Sequence, residues 1–283
     1  MQNSDLKFAF FGTPQISADT LEILKSAGFL PSLIVTATDK PVGRKHIISP
    51  PPVKTWAIKN NIPFIQPEKL DSAFYQQLEA TSYQLFIIVA YGKILPQELI
   101  LLPTYGTINI HYSLLPKYRG ASPVQSAILN GEKETGVTIQ KMVYELDAGP
   151  IITQENVTIN ADETAPQLLN RLIKIGGELL VKILPDFINE KIKTTPQDES
   201  LASICKKITK KDGLVNLEAQ LPKTIYNKFR AFYDWPGIYF MKNNKKIKIT
   251  NAILENEQFV IQKIIPEGKT EINYDIWKSN ILK

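Results

Sequence analysis

The chain has 283 residues, 43% hydrophobic and 22% charged, with a formal net charge of +5, the balance of an ordinary water-soluble protein long enough for two domains. No stretch reaches the roughly 18 uninterrupted apolar residues that a membrane helix needs, and the N-terminus shows no basic region followed by a long apolar run, so a cytoplasmic protein without a membrane partner is expected. Cys205 is the only cysteine, which excludes an internal disulfide and any multi-cysteine metal site.

In chain order, "LKFAFFGT" (6–13) is a short apolar run ending in Gly-Thr-Pro and predicts a buried parallel strand. The following "QISADTLEILKSAG" sets Ile16, Thr20, Ile23, Leu24 and Ala27 on one helical face and closes with Gly28, a helix-ending signal. A strand over 30–38, a short helix at "VKTWAIKNN", a short strand at "PFIQ" and a helix at "AFYQQLEAT" come next. Residues 83–92, "YQLFIIVAYG", are the most apolar run and predict a central strand. This alternation predicts an α/β domain with a doubly wound, Rossmann-like sheet and right-handed crossovers. Ligands in such sheets sit outside the carboxyl ends of the strands. That rule singles out Gly12-Thr13, Ala90-Tyr91-Gly92 and the end of 107–112.

"GVTIQKM" and "GPIITQENVTI" predict a pair of strands, and the segment after them a long helix running to about residue 190, weakened at Gly176-Gly177. Residues 191–205 are polar, charged and low in apolar periodicity, the profile of a linker. Beyond them, "GIYFMK", "KKIKITNAIL" and "QFVIQKII" are strand-like and separated by the turn-like "NN" and "ENE". They predict a smaller C-terminal antiparallel β-barrel of OB-like type. The expected division is therefore a domain at 1–190, a linker at 191–205 and a C-terminal domain at 206–283. Charge follows it: residues 206–283 carry 15 Lys and Arg against 8 Asp and Glu, whereas residues 1–205 carry 18 against 20. A basic surface of that kind is either plainly solvated or meets a polyanion.

The chain has no G-x-G-x-x-G, no Walker-type lysine loop and no H-E-x-x-H, and two histidines are too few for a metal cluster, so no metal is expected. Attention falls instead on "TINIHYSLLPKYRG" (107–120). Strand alternation sends Asn109 and His111 to one face and Ile108 and Ile110 to the other. Asp147 follows in a turn signal, Asp-Ala-Gly. Asn, His and Asp suffice for acyl-type transfer: an amide donates to a developing oxyanion, an imidazole moves a proton near neutral pH, and a carboxylate orients the imidazole. Spacing alone leaves the alternative open that His111 is a satisfied polar residue and Asp147 a turn former.

The stretch "NIHYSLLPKYRGASPVQSAILNGEKETGVTIQKMVYELDAGPII" (109–152) resembles the folate-dependent formyltransferases, with N-x-H-x-S-L-L-P, an Arg-Gly, E-x-x-T-G-V-T and an Asp in D-x-G. Among them it is most similar to the members that act on methionyl-tRNA. "FFGTP" (10–14), "TDKPVGRKHIISPPPVKTWA" (38–57), "VAYGKILPQELI" (89–100) and "RAFYDWPGIYF" (230–240) extend the likeness over most of the chain. Formyltransferases acting on nucleotide-linked amino sugars share the SLLP region and are the competing reading. A third is an RNA-binding protein that keeps the fold without the chemistry.

The resemblance implies transfer of a formyl group from 10-formyltetrahydrofolate, a donor substrate, to the α-amino group of the initiator methionyl-tRNA, by a monomer. It implies Asn109 and His111 at the oxyanion, Asp147 orienting His111 and helping to take the amine proton, and a folate pocket formed by Ala90, Tyr91 and Gly92 with Ser113, Leu114, Leu115 and Pro116. It also implies a basic tRNA loop led by Arg44 with Lys45, to which Lys40 and Lys54 add charge and Gly43 adds freedom. His46 is tRNA-facing or simply exposed. Lys206, Lys207, Lys210 and Lys211 are expected to place the acceptor stem through phosphate contacts.

Overall fold

A computed structural model describes residues 6–43 and 46–281. Its first strand, β1 (Phe8–Gly12), is buried along its whole length, as an apolar run covered on both faces must be. Helix α1 (Gln15–Ser26) follows, and its buried residues are Ser17, Ala18, Thr20, Leu21 and Leu24. The inward face is thus turned from the predicted Ile16–Thr20–Ile23–Leu24–Ala27 stripe. Ser17 is drawn inward because its hydroxyl donates to the Val89 carbonyl at 2.6 Å, and a Cβ on Gly12 would stand only 2.6 Å from that serine's own Cβ.

The chain continues through β2 (Leu33–Val35), β3 (Lys40–Val42), β4 (Ile47–Ser49), α2 (Pro52–Lys59), β5 (Phe64–Ile65), α3 (Ser72–Glu79), β6 (Leu85–Val89), α4 (Gln97–Leu101) and β7 (Thr107–His111). Then come β8 (Arg119–Gly120), α5 (Pro123–Leu129), β9 (Glu134–Lys141), β10 (Ile151–Thr158) and α6 (Ala165–Ile188). Seven strands form one sheet in the order β10-β9-β7-β6-β1-β2-β5. From β5 to β7 the pairs are parallel, and β9 runs antiparallel to β7. The winding reverses between β1 and β6, since β1 leads to β2 on one side and pairs with β6 on the other. The carboxyl ends of β1, β6 and β7 therefore meet at the switch point where doubly wound sheets hold ligands. β3 and β4 are a hairpin within the stretch expected as a loop, paired from Lys40↔Ser49 to Val42↔Ile47.

The Gly176-Gly177 pair does not interrupt α6. It lets the helix approach closely: a Cβ on Gly177 would lie 2.6 Å from Ile23 Cδ1, and one on Gly176 would lie 3.1 Å from Ile110 and Val137.

The chain divides into two compact units. One comprises the chain up to Arg119, Gly136–Val157 and Asn170–Ser203; the other comprises Gly120–Thr135, Thr158–Leu169 and the chain from Ile204 on. These units interleave along the chain. The physical reason lies in the second unit. Its helix α7 (Pro222–Ala231) is bonded to the segments inserted from earlier in the chain: Tyr226 donates to Asp162 at 2.8 Å, and Arg230 donates to the Glu163 carbonyl at 3.2 Å. The second unit also holds β11 (Ile204–Cys205), β12 (Ile238–Lys242), β13 (Lys245–Glu255), β14 (Gln258–Pro266), β15 (Ile272–Asn273) and α8 (Tyr274–Ile281). Strands β12 to β15 form an antiparallel sheet in chain order. The predicted turns are there: Asn243-Asn244 and Asn256-Glu257 both take left-handed conformations, the requirement of a tight two-residue hairpin. No helix among the described residues is long and apolar enough to cross a membrane.

Candidate active site

Strand β7 displays the site because packing enforces its alternation. Ile108 and Ile110 are buried, while Asn109 and His111 take the opposite face. Register places Asn109 beside Ile88 on β6, opposite Gln140 on β9, and His111 opposite Thr138. Opposed residues of an antiparallel pair share a face, so Thr138 and Gln140 join Asn109 and His111. Two positions on from the Ile88–Asn109 pair, Ala90 leaves the sheet level with His111.

His111 is only 6% exposed. Its Nε2 lies 2.9 Å from the Tyr118 carbonyl oxygen. A carbonyl can only accept, so that nitrogen carries the hydrogen. Nδ1 faces Asp147 Oδ2 at 3.6 Å. That separation is longer than a hydrogen bond, and the carboxylate faces the ring edge. With both ring nitrogens turned to protein partners, the free donor on this face is Asn109. Its side-chain amide is half-buried and has no hydrogen-bond partner among the described residues.

Asp147 sits in a turn at φ 50°. The Gly of Asp-Ala-Gly has a steric cause: a Cβ on Gly149 would collide with the Lys141 carbonyl. The carboxylate's other oxygen, Oδ1, accepts from Gln140 Nε2 at 3.0 Å. Gln197 Nε2 donates to the main-chain oxygens of Asp147 at 2.8 Å and Gly149 at 2.7 Å. Arg119 in turn donates to Gln197 Oε1 from Nε (3.0 Å) and Nη2 (2.8 Å), and grips Glu199 bidentately at 2.9 and 2.6 Å. That guanidinium holds the Glu199 carboxyl below its ordinary range.

The expected pocket wall divides into main-chain and side-chain parts. Ala90 and Gly92 are exposed at φ 47° and 81°. The turn is pinned by Thr13 donating to the Tyr91 carbonyl at 3.1 Å and by Ser17 donating to Val89. The Tyr91 ring is core: it stands edge-on to Phe11, its hydroxyl has no partner among the described residues, and burial pushes its phenol up to about 12. Ser113 is wholly buried, and its hydroxyl donates to the Lys117 carbonyl at 2.7 Å. Thr138 Oγ1 donates to the Ser113 carbonyl (2.6 Å) and accepts from the Leu115 amide (3.1 Å). Gln154 donates to the Leu115 carbonyl at 2.8 Å. Leu114 leans over Gly136, where a Cβ would come 2.5 Å from its Cδ2. Leu115–Pro116 is cis. The hydrogen bonds of Ser113 and Leu115 make the segment a fixed wall whose serine is used internally.

Arg44 and Lys45 lie outside the described residues. Lys54 donates to both oxygens of Asp39, at 2.9 and 2.8 Å, so its charge is neutralised locally rather than added to the basic loop. Lys206, Lys207, Lys210 and Lys211 are all exposed. The last two stand in a short turn, Lys210–Gly213, that Thr209 and Asp212 cap reciprocally. Sequence reasoning missed Thr138, Gln140, Gln154, Gln197 and Glu199, and read Arg119 only as part of a motif. Alternation on "GVTIQKM" offered a signal for Thr138 and Gln140; residues 197 and 199 gave none.

Comparison with known proteins places the chain in a family. The family model described as "Formyl transferase" matches residues 6–184, and "Formyl transferase, C-terminal domain" matches residues 207–275. The methionyl-tRNA formyltransferase of Halalkalibacterium halodurans is 42% identical over 245 residues, 86% of this chain and 77% of that protein. That of Caldicellulosiruptor saccharolyticus is 40% identical over 247 residues, 86% and 78% respectively. Among solved structures, the N-formyltransferase from Helicobacter canadensis, in complex with folinic acid and dTDP-3-aminofucose, shares the fold. Its TM-score is 0.68 at 22% identity, over 95% of this chain and 98% of that one. Likeness over both parts of the chain at this identity is the mark of common descent, and the chain belongs to the formyl transferase family, among the methionyl-tRNA formyltransferases.

Proposed function

We infer that the chain transfers a formyl group from 10-formyltetrahydrofolate to the α-amino group of the initiator methionyl-tRNA, as a cytoplasmic monomer. The observation that carries this is the half-buried Asn109 amide, without a partner among the described residues, on the same strand face as a buried His111 that faces Asp147. The folate donor supplies the formyl group. The residues fit it: exposed main chain at Ala90 and Gly92 offers edges to a flat heterocycle, and the Ser113–Pro116 wall is rigid.

Asn109 donates to the oxygen on which negative charge develops, an interaction worth roughly 2.7–4 kcal/mol in comparable sites. Asp147, facing His111 Nδ1, helps to take the proton that the attacking amine gives up. That proton passes to the folate N10 as its bond to the formyl carbon breaks and tetrahydrofolate leaves. The Tyr118 carbonyl fixes the His111 ring through Nε2. Residues up to 190 supply this chemistry. Residues 206–283, with Lys206, Lys207, Lys210 and Lys211, meet tRNA phosphates, and Arg44 and Lys45 act at the acceptor end. The test sets purified methionyl-tRNA beside a nucleotide-linked amino sugar, with 10-formyltetrahydrofolate as donor to both. Formylation of the tRNA alone is expected; formylation of the sugar alone would sink the reading.

A further inference from the structure

We propose that the strap Thr195–Ser203 is a working part of the active site, with Gln197 the positioning residue for Asp147 and Ser203 the positioning residue for His111. This rests on the formyl-transfer reading of the Asn109–His111–Asp147 site.

The strap leaves α6 and is fastened at one end without using any of its side chains. Thr195 and Ile151 exchange two main-chain hydrogen bonds, both 2.8 Å. Two residues on, Gln197 reaches the Asp147 turn. Its amide has two hydrogens, and the two nearest acceptors, the Asp147 and Gly149 carbonyls at 2.8 and 2.7 Å, take them; Gln140 Oε1 is farther, at 3.4 Å. Its own oxygen is held by Arg119, which Glu199 of the same strap fixes. Glutamine is the residue type this position needs, since it donates twice to carbonyls and accepts from a guanidinium. A glutamate would keep the guanidinium contact and turn a carboxylate oxygen on the two carbonyls.

At its far end the strap reaches the other half of the pair. Ser203 Oγ accepts from the Tyr118 amide at 2.9 Å, its amide donates to the Pro116 carbonyl at 3.2 Å, and its carbonyl accepts from the Arg119 amide at 2.8 Å. Tyr118 is the residue whose carbonyl receives the His111 Nε2 hydrogen. The strap thereby fixes the main chain behind both the carboxylate and the imidazole. A displacement of about 1 Å in such a constellation can lower turnover on the order of 100-fold.

The test combines kinetics with the imidazole nitrogens, which report on the site without substrate. The chain has two histidines, His46 and His111, so histidine labelled with nitrogen-15 gives two ring systems. In the full chain, Gln197→Ala and Gln197→Glu should each lower kcat about 10- to 100-fold, leave KM for tRNA and folate within about threefold, and shift the His111 nitrogens but not those of His46. Ser203→Ala should lower kcat about threefold or more, and Ser203→Thr, which keeps the hydroxyl at an exposed position, should restore it. Wild-type kcat in Gln197→Glu, or unmoved His111 nitrogens in both Gln197 variants, overturns the proposal. Should the Gln197 variants not fold, the Ser203 pair decides by the same two readouts. If the wild-type chain formylates no tRNA, the functional reading fails while the nitrogen signals still judge the strap.

Discussion

Asn109 and Gly149 show how single atoms set the site. The Asn109 amide has no partner among the described residues, so Asn109→Ala removes a donor without orphaning a buried group. Stability should change by less than about 1 kcal/mol, while kcat falls roughly 100- to 1,000-fold and tRNA affinity stays within about threefold. Steady-state kinetics beside a binding titration checks this, and an equal loss in both quantities contradicts the oxyanion role. Gly149 is the opposite case. A Cβ there meets the Lys141 main chain, which cannot step aside without moving β9, the strand that carries Gln140 and Thr138. Gly149→Ala should therefore cost about 1–3 kcal/mol of stability, read from denaturant unfolding. It should also lower kcat, because Asp147 moves with the turn.

Among the elements, what the sequence made legible is what local periodicity encodes. Unbroken apolar runs named β1 and β6, and period-two alternation put Asn109 and His111 on one face of β7. Periodicity is blind to partners that arrive from far along the chain. Gln197 reaches Asp147 across 50 residues, and Arg119 reaches Glu199 across 80. The strap looked like a linker because its residues are polar, yet their polar atoms are its attachments. Helix α7 was overlooked although Pro222 opens it and Ile225, Tyr226 and Phe229 share its buried face; its many polar neighbours masked the stripe. Glycines were misjudged for a related reason, since flexibility is a local property and close packing is not. In α6, Gly177 lies against Ile23 with no room for a Cβ. Gly177→Val should lower stability by about 2–3 kcal/mol despite improving helix propensity. Gly176→Ala, whose Cβ would stand 3.1 Å from side chains that can adjust, should stay within about 1 kcal/mol. Parallel urea titrations of the two variants measure the difference.

At the scale of the whole molecule, charge and chemistry occupy different parts of the chain. The proposed proton-handling and oxyanion groups lie between Asn109 and Asp147, while residues 206–283 hold 15 basic against 8 acidic side chains. Four of those basic groups, Lys206, Lys207, Lys210 and Lys211, are exposed to solvent. Lysine on a solvated surface contributes little to folding, so replacing all four with alanine should leave the melting temperature nearly unchanged. If they meet tRNA phosphates, every lysine–phosphate pair removed lowers the dependence of log binding constant on log salt by about 1, so the slope should fall by about 3–4. The weakening should be the same for initiator and elongator tRNAs, because phosphate contacts position without reading sequence. At saturating methionyl-tRNA the fourfold variant should turn over at the wild-type rate, the mirror image of Asn109→Ala, where affinity survives and turnover falls. An unchanged salt slope would assign these lysines to solubility alone, and the polyanion would then have to be met by the other basic side chains of this part of the chain.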